Sequence, residues 1–135
     1  MAERKIINTS GKRRRAIARA TLRANGTGKV RINSIYLDNI SHKLARLKMR
    51  EPLMLARDIA RNVDIDVNVS GGGMIGRAEA VRVAIGKALV EHSPELKETF
   101  LEYDRQLIVP DVRLKETRKP NRHGKARAKV QKSYR

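Results

Sequence analysis

The sequence predicts an α+β protein: a two-layer domain with a small mixed β-sheet and helices packed on it, followed by an extended basic C-terminal tail. Three observations predict this. Asp64 to Ser70 alternates apolar and polar residues with the period of a strand, while the segments around it carry apolar stripes at helical spacing. The elements read in the order strand, strand, strand, helix, strand, helix, helix, with a last extended piece. After Leu114 bulky apolar residues almost cease and charge takes over. The expected division is therefore 1–114 for the globular domain, its basic part at 1–34, and 115–135 for the tail.

Met1 to Lys5 is expected to be a loose end. Ile6-Ile7 begins a short strand, and Asn8-Thr9-Ser10-Gly11 is a cluster of turn formers. Arg15 to Ala24 has helix-favouring composition but strand-like alternation. Ala16, Ala18, Ala20, Leu22 and Ala24 fall on one face, with Arg15, Arg19 and Arg23 on the other. Asn25-Gly26-Thr27-Gly28 is a turn signal, and Lys29 to Asn33 again alternates. The expectation is an antiparallel hairpin of these two segments, with a small-residue face on the core.

Ser34 to Arg50 reads as a connection with a short helix over Ser41 to Leu47. A second helix opens at Glu51-Pro52, where proline's missing N–H costs little. Its stripe is Leu53, Leu55-Ala56, Ile59-Ala60 and Val63. Strand 64–70 follows, with Ile65, Val67 and Val69 inward. Arg77 to Val90 is a helix with Val81, Ala84-Ile85 and Ala88-Leu89 on one side. Gly86 inside it costs about 1 kcal/mol relative to Ala, which predicts close packing of another element there. Ser93 is expected to cap the last helix, with Pro94 at its first position and Leu96, Phe100 and Tyr103 inward.

Charge is the strongest functional signal. The chain has 135 residues and a net charge of +17. Residues 1–34 hold ten Lys or Arg and one acid, 35–114 hold twelve of each, and 115–135 hold nine and one. A neutral middle thus sits between two basic flanks, the footprint of nucleic-acid contact. In the first flank the candidates are Lys12, Arg13, Arg14, Arg15 and Arg19. In the tail they are Arg118, Lys119, Arg122, Lys125, Arg127 and Lys129. The tail cannot bury enough surface to offset its ordering entropy in water, but it can order on a polyanion as counterions leave. A solvated tail that only aids solubility is the bland alternative.

Gly71, Gly73 and Gly76 fit a G-x-G-x-x-G pattern between a strand and a helix. No second parallel strand with an acidic ribose ligand follows, so a dinucleotide site is disfavoured, and without Gly-Lys-Ser/Thr a P-loop is unsupported. What remains is local physics. Gly71, Gly72 and Gly73 let a backbone approach closely, the helix N-terminus favours an anion, and Arg77 adds a cation. This predicts a nucleic-acid phosphate there, against a plain packing turn.

Other classes are excluded or weakened. The absence of Cys removes disulfide frameworks and thiolate metal sites. His42, His92 and His123 lack ligand spacing, so neither a metal nor a cofactor is expected. One Phe, three Tyr and no Trp do not make a base-stacking surface. No run has transmembrane length and no signal-peptide core is present, so no membrane partner is expected. No catalytic residues are recognisable, and an enzyme is not expected.

Three stretches together resemble the small-subunit ribosomal protein nine family, archaeal and eukaryotic branch. They are Gly11 to Arg19 with Gly26 to Asn33, then Gly71 to Ala80, then the ending Gln131-Lys132-Ser133-Tyr134-Arg135. The bacterial branch usually closes in Ser-Lys-Arg where this chain has Ser-Tyr-Arg, and the family often has Gln at the position of Arg77. The resemblance implies a fold shared with the second domain of ribosomal protein five. It implies a place in the head of the small subunit, on the rRNA and beside neighbouring head proteins. It also implies that the tail runs to the peptidyl site, where Lys132, Ser133, Tyr134 and Arg135 meet the tRNA and Arg135 lies against the anticodon-stem backbone. The expected role is a structural rRNA-binding component of the cytoplasmic ribosome. A chromatin-like DNA-binding protein and a nucleotide-dependent enzyme built on the glycine loop are the competing readings.

Overall fold

A computed structural model describes residues 5–122 and 124–127. Among these residues five strands form one sheet: β1 (Ile6–Arg13), β2 (Ala16–Ala24), β3 (Val30–Ile32), β4 (Ile35–Tyr36) and β5 (Val63–Ser70). Their spatial order is β1-β2-β5-β3-β4. β1 with β2, β2 with β5, and β3 with β4 are antiparallel, while β3 with β5 is parallel. The helices are α1 (Lys43–Ala56), the one-turn α2 (Asp58–Arg61), α3 (Met74–His92) and α4 (Leu96–Tyr103). This is the expected α+β class with a mixed sheet.

The core lies between one sheet face and α3. Ala16, Ala18, Ala20 and Leu22 of β2 are buried with Val63, Ile65 and Val67 of β5. Against them α3 buries Ala78, Ala80, Val81, Ala84, Ile85, Ala88 and Leu89. Small residues on both sides bring the helix close. Thr9 Oγ1 donates to the Ala84 carbonyl at 2.8 Å, a bond that needs that proximity. Among the described residues, the largest fully buried side chains are Phe100, Leu22, Ile65, Ile85, Leu89 and Leu107. Burying each is worth about 1.5–3 kcal/mol before entropy is subtracted.

The strand pairing differs from the sequence expectation. β2 does not pair with the Lys29 to Asn33 segment, because β5 lies between them. β2's partner on its other side is β1, joined through a two-residue turn at Arg14-Arg15. Asn8 to Gly11, expected to be a turn, is extended inside β1. Its small and polar residues serve the helix above instead. Asn25 to Gly28 is a loop as expected, but it crosses over the end of β5 rather than closing a hairpin. The Asp64 carboxylate organises it, accepting from the backbone N–H of Thr27 at 3.0 Å and of Lys29 at 3.1 Å.

Helix boundaries also shift. The two expected helices at 41–47 and from Glu51 are one, α1, with Pro52 buried inside it. His42 Nδ1 caps its start by accepting from the Ala45 N–H at 3.1 Å. Arg57, at φ 51°, ends α1, so the apolar stripe expected to run on to Val63 is cut and Val63 opens β5. α3 starts at Met74 and reaches His92, longer at both ends than its periodicity showed. α4 starts at Leu96 after a turn in which the Ser93 carbonyl accepts from the Leu96 N–H, and no side chain caps it. Leu96 and Phe100 face inward as expected, but Tyr103 is exposed. A 3-10 turn at Arg105–Leu107 follows α4, and the last extended piece, expected around Leu107 to Val112, forms no strand.

Among the described residues Leu107 is the last buried apolar one. Beyond it, Val112 and Leu114 are exposed, and the described residues from 110 to 127 form no helix or strand. No helix among the described residues is long and apolar enough to cross a membrane.

Candidate nucleic-acid interface

One end of the sheet gathers the β1–β2 turn, the glycine loop and the start of α3. Two residues connect β1 to β2, and the first of them, Arg14, holds φ 54°. Tight hairpin turns ordinarily place glycine or asparagine in this conformation. An arginine there carries a modest backbone cost, which points to a use for its side chain. Gly71 and Gly72 also have positive φ, 77° and 65°. A Cβ on Gly71 would stand 2.5 Å from the Arg15 carbonyl oxygen, and one on Gly72 3.0 Å from the Ala16 Cβ. The glycine loop therefore lies directly against the basic turn. Gly73, the N-cap residue of α3, has open space where its Cβ would be. Arg77 folds back and its Nε donates to the Gly71 carbonyl at 2.9 Å, bracing the loop.

The open sheet face continues from this end. Helices cover the other face, so Lys12, Arg19, Arg23, Arg31 and Asn68 point away from them. Asp66 bridges Arg23 and Arg31, the latter through Nε at 2.8 Å. The Arg31 hydrogen bond holds the Asp66 carboxyl below the usual range, against an opposing effect of burial and with help from Arg23. Burial pushes Asp64 upward, but the Lys29 and Thr27 N–H groups outweigh it and leave the carboxyl below its usual value.

Among the described residues, no acid pairs with Lys12, Arg14, Arg15, Arg19 or Arg77. Unneutralised positive charge thus collects at the turn, beside a helix N-terminus and exposed backbone. Such a surface suits phosphate oxygens and carries little means of reading bases.

Arg13 does not join them. It points to the helix side and pairs with Glu79 at 2.7 Å and with Asp111. In the tail, Arg118, Lys119, Arg122 and Lys125 are exposed. Arg127 pairs with Glu116, whose carboxyl this bond lowers, and the Lys119 N–H donates to the Lys125 carbonyl at 3.0 Å. Lys129, Lys132, Ser133, Tyr134 and Arg135 lie outside the described residues, as does His123. No group of three His, Cys, Asp or Glu could hold a metal among the described residues.

The sequence reading missed Asp64, Asp66 and Arg31. Their polar alternation was visible, but their pairing depends on β5 lying between β2 and β3, which no local pattern reveals.

The family described as Ribosomal protein S9/S16 matches residues 11–135. The chain is 48% identical over 134 residues to the small ribosomal subunit protein uS9 of Methanococcus maripaludis, covering 97% of this chain and 99% of the relative. It is 49% identical over 133 residues to that of Methanothrix thermoacetophila, with the same coverage. With that of Halobacterium salinarum it shares 50% identity over 133 residues, covering 96% of this chain and 99% of the relative. Matched over almost its whole length, with its basic turn, glycine loop and tail all inside the match, the chain belongs to the ribosomal protein S9/S16 family.

Proposed function

We propose that this protein, a non-enzymatic structural constituent of the small ribosomal subunit in the cytoplasm, holds rRNA of the subunit head by phosphate contact. The contacts come from Lys12, Arg14, Arg15 and Arg19, from the Gly71–Gly73 loop with Arg77, and from the basic residues of the tail. The observation that carries this reading is the juxtaposition of the Arg14-Arg15 turn with the glycine loop. Cations without acidic partners and a helix N-terminus there face the same space. The globular part ends and the RNA-directed tail begins at about residue 115. Lys132, Ser133, Tyr134 and Arg135 extend to the peptidyl-site tRNA and steady it by backbone contact, and neighbouring head proteins flank the domain.

Sedimentation of native protein from gently lysed cells tests the first part. The protein is expected with the small subunit, and digestion of the RNA should release it. Migration with DNA would overturn this and favour a chromatin-like protein. For the tail, reconstituted subunits carrying Arg135→Ala should retain peptidyl-site tRNA less well. Unchanged retention would remove that role.

A further inference from the structure

We propose that Asp111 is a positioning residue that anchors the root of the C-terminal tail to the domain by charge alone. It deepens the reading of the tail as an RNA-directed arm and rests on it for its purpose, though not for its geometry.

Ile108 still packs partly against the apolar core, but Val112 and Leu114 are 86% and 58% exposed. Apolar packing therefore ends short of the point where the tail departs. Between Pro110 and Leu114 the shielded side chain is that of Asp111, 8% exposed. Its carboxylate pairs with Arg13 Nη1 at the last residue of β1. It also accepts from the Arg113 backbone N–H at 2.9 Å and from Arg113 Nη2 at 2.6 Å. Arg13 in turn is held by Glu79 of α3 at 2.7 Å, and Glu79 by Lys48 of α1 at 3.2 Å. The tail root is thus tied through one carboxylate to β1, α3 and α1. A shielded carboxylate with several charge-assisted bonds resists solvent screening better than an exposed ion pair. The loop that Arg113 closes on Asp111 also turns the chain locally.

The consequence is directional. A tethered segment finds its site with an effective concentration set by where its root points and how freely it swings. Fixing the root narrows the volume that the basic residues beyond it sample. Arg13 is accordingly part of the anchor, and its charge serves the protein's own carboxylates.

The test is nitrogen-15 relaxation of the full chain, comparing wild type with Asp111→Asn and Arg13→Gln. In wild type, the amides of Asp111 to Leu114 should show heteronuclear NOE values close to those of α3. In either variant they should fall to values like those of Lys115 to Lys119, while the amides of β2, β5 and α3 keep theirs. Root amides that are already as mobile as the tail in wild type, or that stay ordered in both variants, would overturn the proposal. A variant that lost the sheet signals would be replaced by Asp111→Ala, which lies beyond the last core residue and removes the carboxylate alone, and the same selective loss is expected there. The RNA role of the tail is read separately, by substituting Gln for Lys115, Arg118, Lys119 and Arg122 in the full chain. Unchanged RNA affinity there would sink that role and leave the anchor standing.

Discussion

Gly11 of β1 lies against the backbone of Ala80 in α3: a Cβ on Gly11 would come within 2.2 Å of the Ala80 carbonyl oxygen and 2.7 Å of the Ala84 nitrogen. Backbone atoms held in a helix cannot swing aside as a side-chain tip can. Gly11→Ala should therefore destabilise the protein by about 3 kcal/mol, at the upper end for overpacking. Gly86→Ala sets two effects against each other. Helix propensity favours Ala by about 1 kcal/mol. The added Cβ, however, would meet the Leu107 carbonyl at 2.5 Å. Steric conflict should win, giving a net loss. Denaturant midpoints of both variants check this, and a stabilised Gly86→Ala would show that the 105–107 turn yields freely.

The glycine loop offers a paired comparison. Gly71→Ala should disturb the fold, because its φ is positive and its Cβ would strike the Arg15 carbonyl. Gly73→Ala has open space and an ordinary φ of −91°. It should melt like wild type while weakening RNA binding, since the methyl group occupies the space proposed for phosphate. Thermal melts and binding measured side by side separate the two. RNA affinity unchanged by Gly73→Ala would leave the loop as a packing turn only.

Arg14→Gly removes a charge while relieving a backbone conformation that glycine accepts readily. Stability should be unchanged or slightly raised, whereas RNA affinity falls. The slope of log affinity against log salt should become shallower by about 1 for a single lost phosphate contact. Titrations at several salt concentrations read this directly. A lower affinity with an unaltered slope would argue against a phosphate partner.

Acid sensitivity follows from Asp64, Asp66 and Asp104, whose folded-state values all lie below the ordinary carboxylate range. For Asp104, burial acts upward, and the Gln106 N–H and Arg82 overcome it. The unfolded chain binds protons at these groups near pH 4, before the folded one does. Their stabilisation is therefore complete above about pH 4 and is lost as pH falls through the lower folded-state values. Unfolding midpoints from pH 6 to pH 3 should decline at the acid end. Asp66→Asn should lower the midpoint at pH 6 and flatten the decline. A variant as acid-sensitive as wild type would remove Asp66 from this account.

The sequence disclosed what local chemistry encodes. Alternation on β2 and β5 identified the buried faces, and Gly86 was correctly read as a point of close approach, because each depends on neighbours along the chain. The α+β class followed from the same patterns. Pairing was not legible. The Asn25-to-Gly28 signal looked like a hairpin, and nothing local showed that β5 would lie between β2 and β3. Pro52 misled in another way, since a burial site inside α1 outweighed its lost hydrogen bond. For the interface, composition indicated which flank was basic. It could not separate Arg13, turned toward Glu79 and Asp111, from Arg14 and Arg15 on the turn beside it. That distinction is one of strand face, and a two-residue turn resets the alternation on which face assignment relies.

The position of β5 between β2 and β3 has a temporal consequence. Chain order and pairing order disagree, so the sheet cannot grow as the polypeptide emerges. β1 and β2 can close on each other early, but an isolated hairpin is marginal in water. β3 can pair early only with the two-residue β4, and its other neighbour, β5, is made only after α1 has been synthesised. Long-range closure of this kind is slow, because its entropy is lost before the contacts that offset it form. The full sheet can therefore close only once Val63–Ser70 has been made. Until then the nascent chain carries its cationic flank as an open segment, without the Asp64 and Asp66 carboxylates that later moderate it.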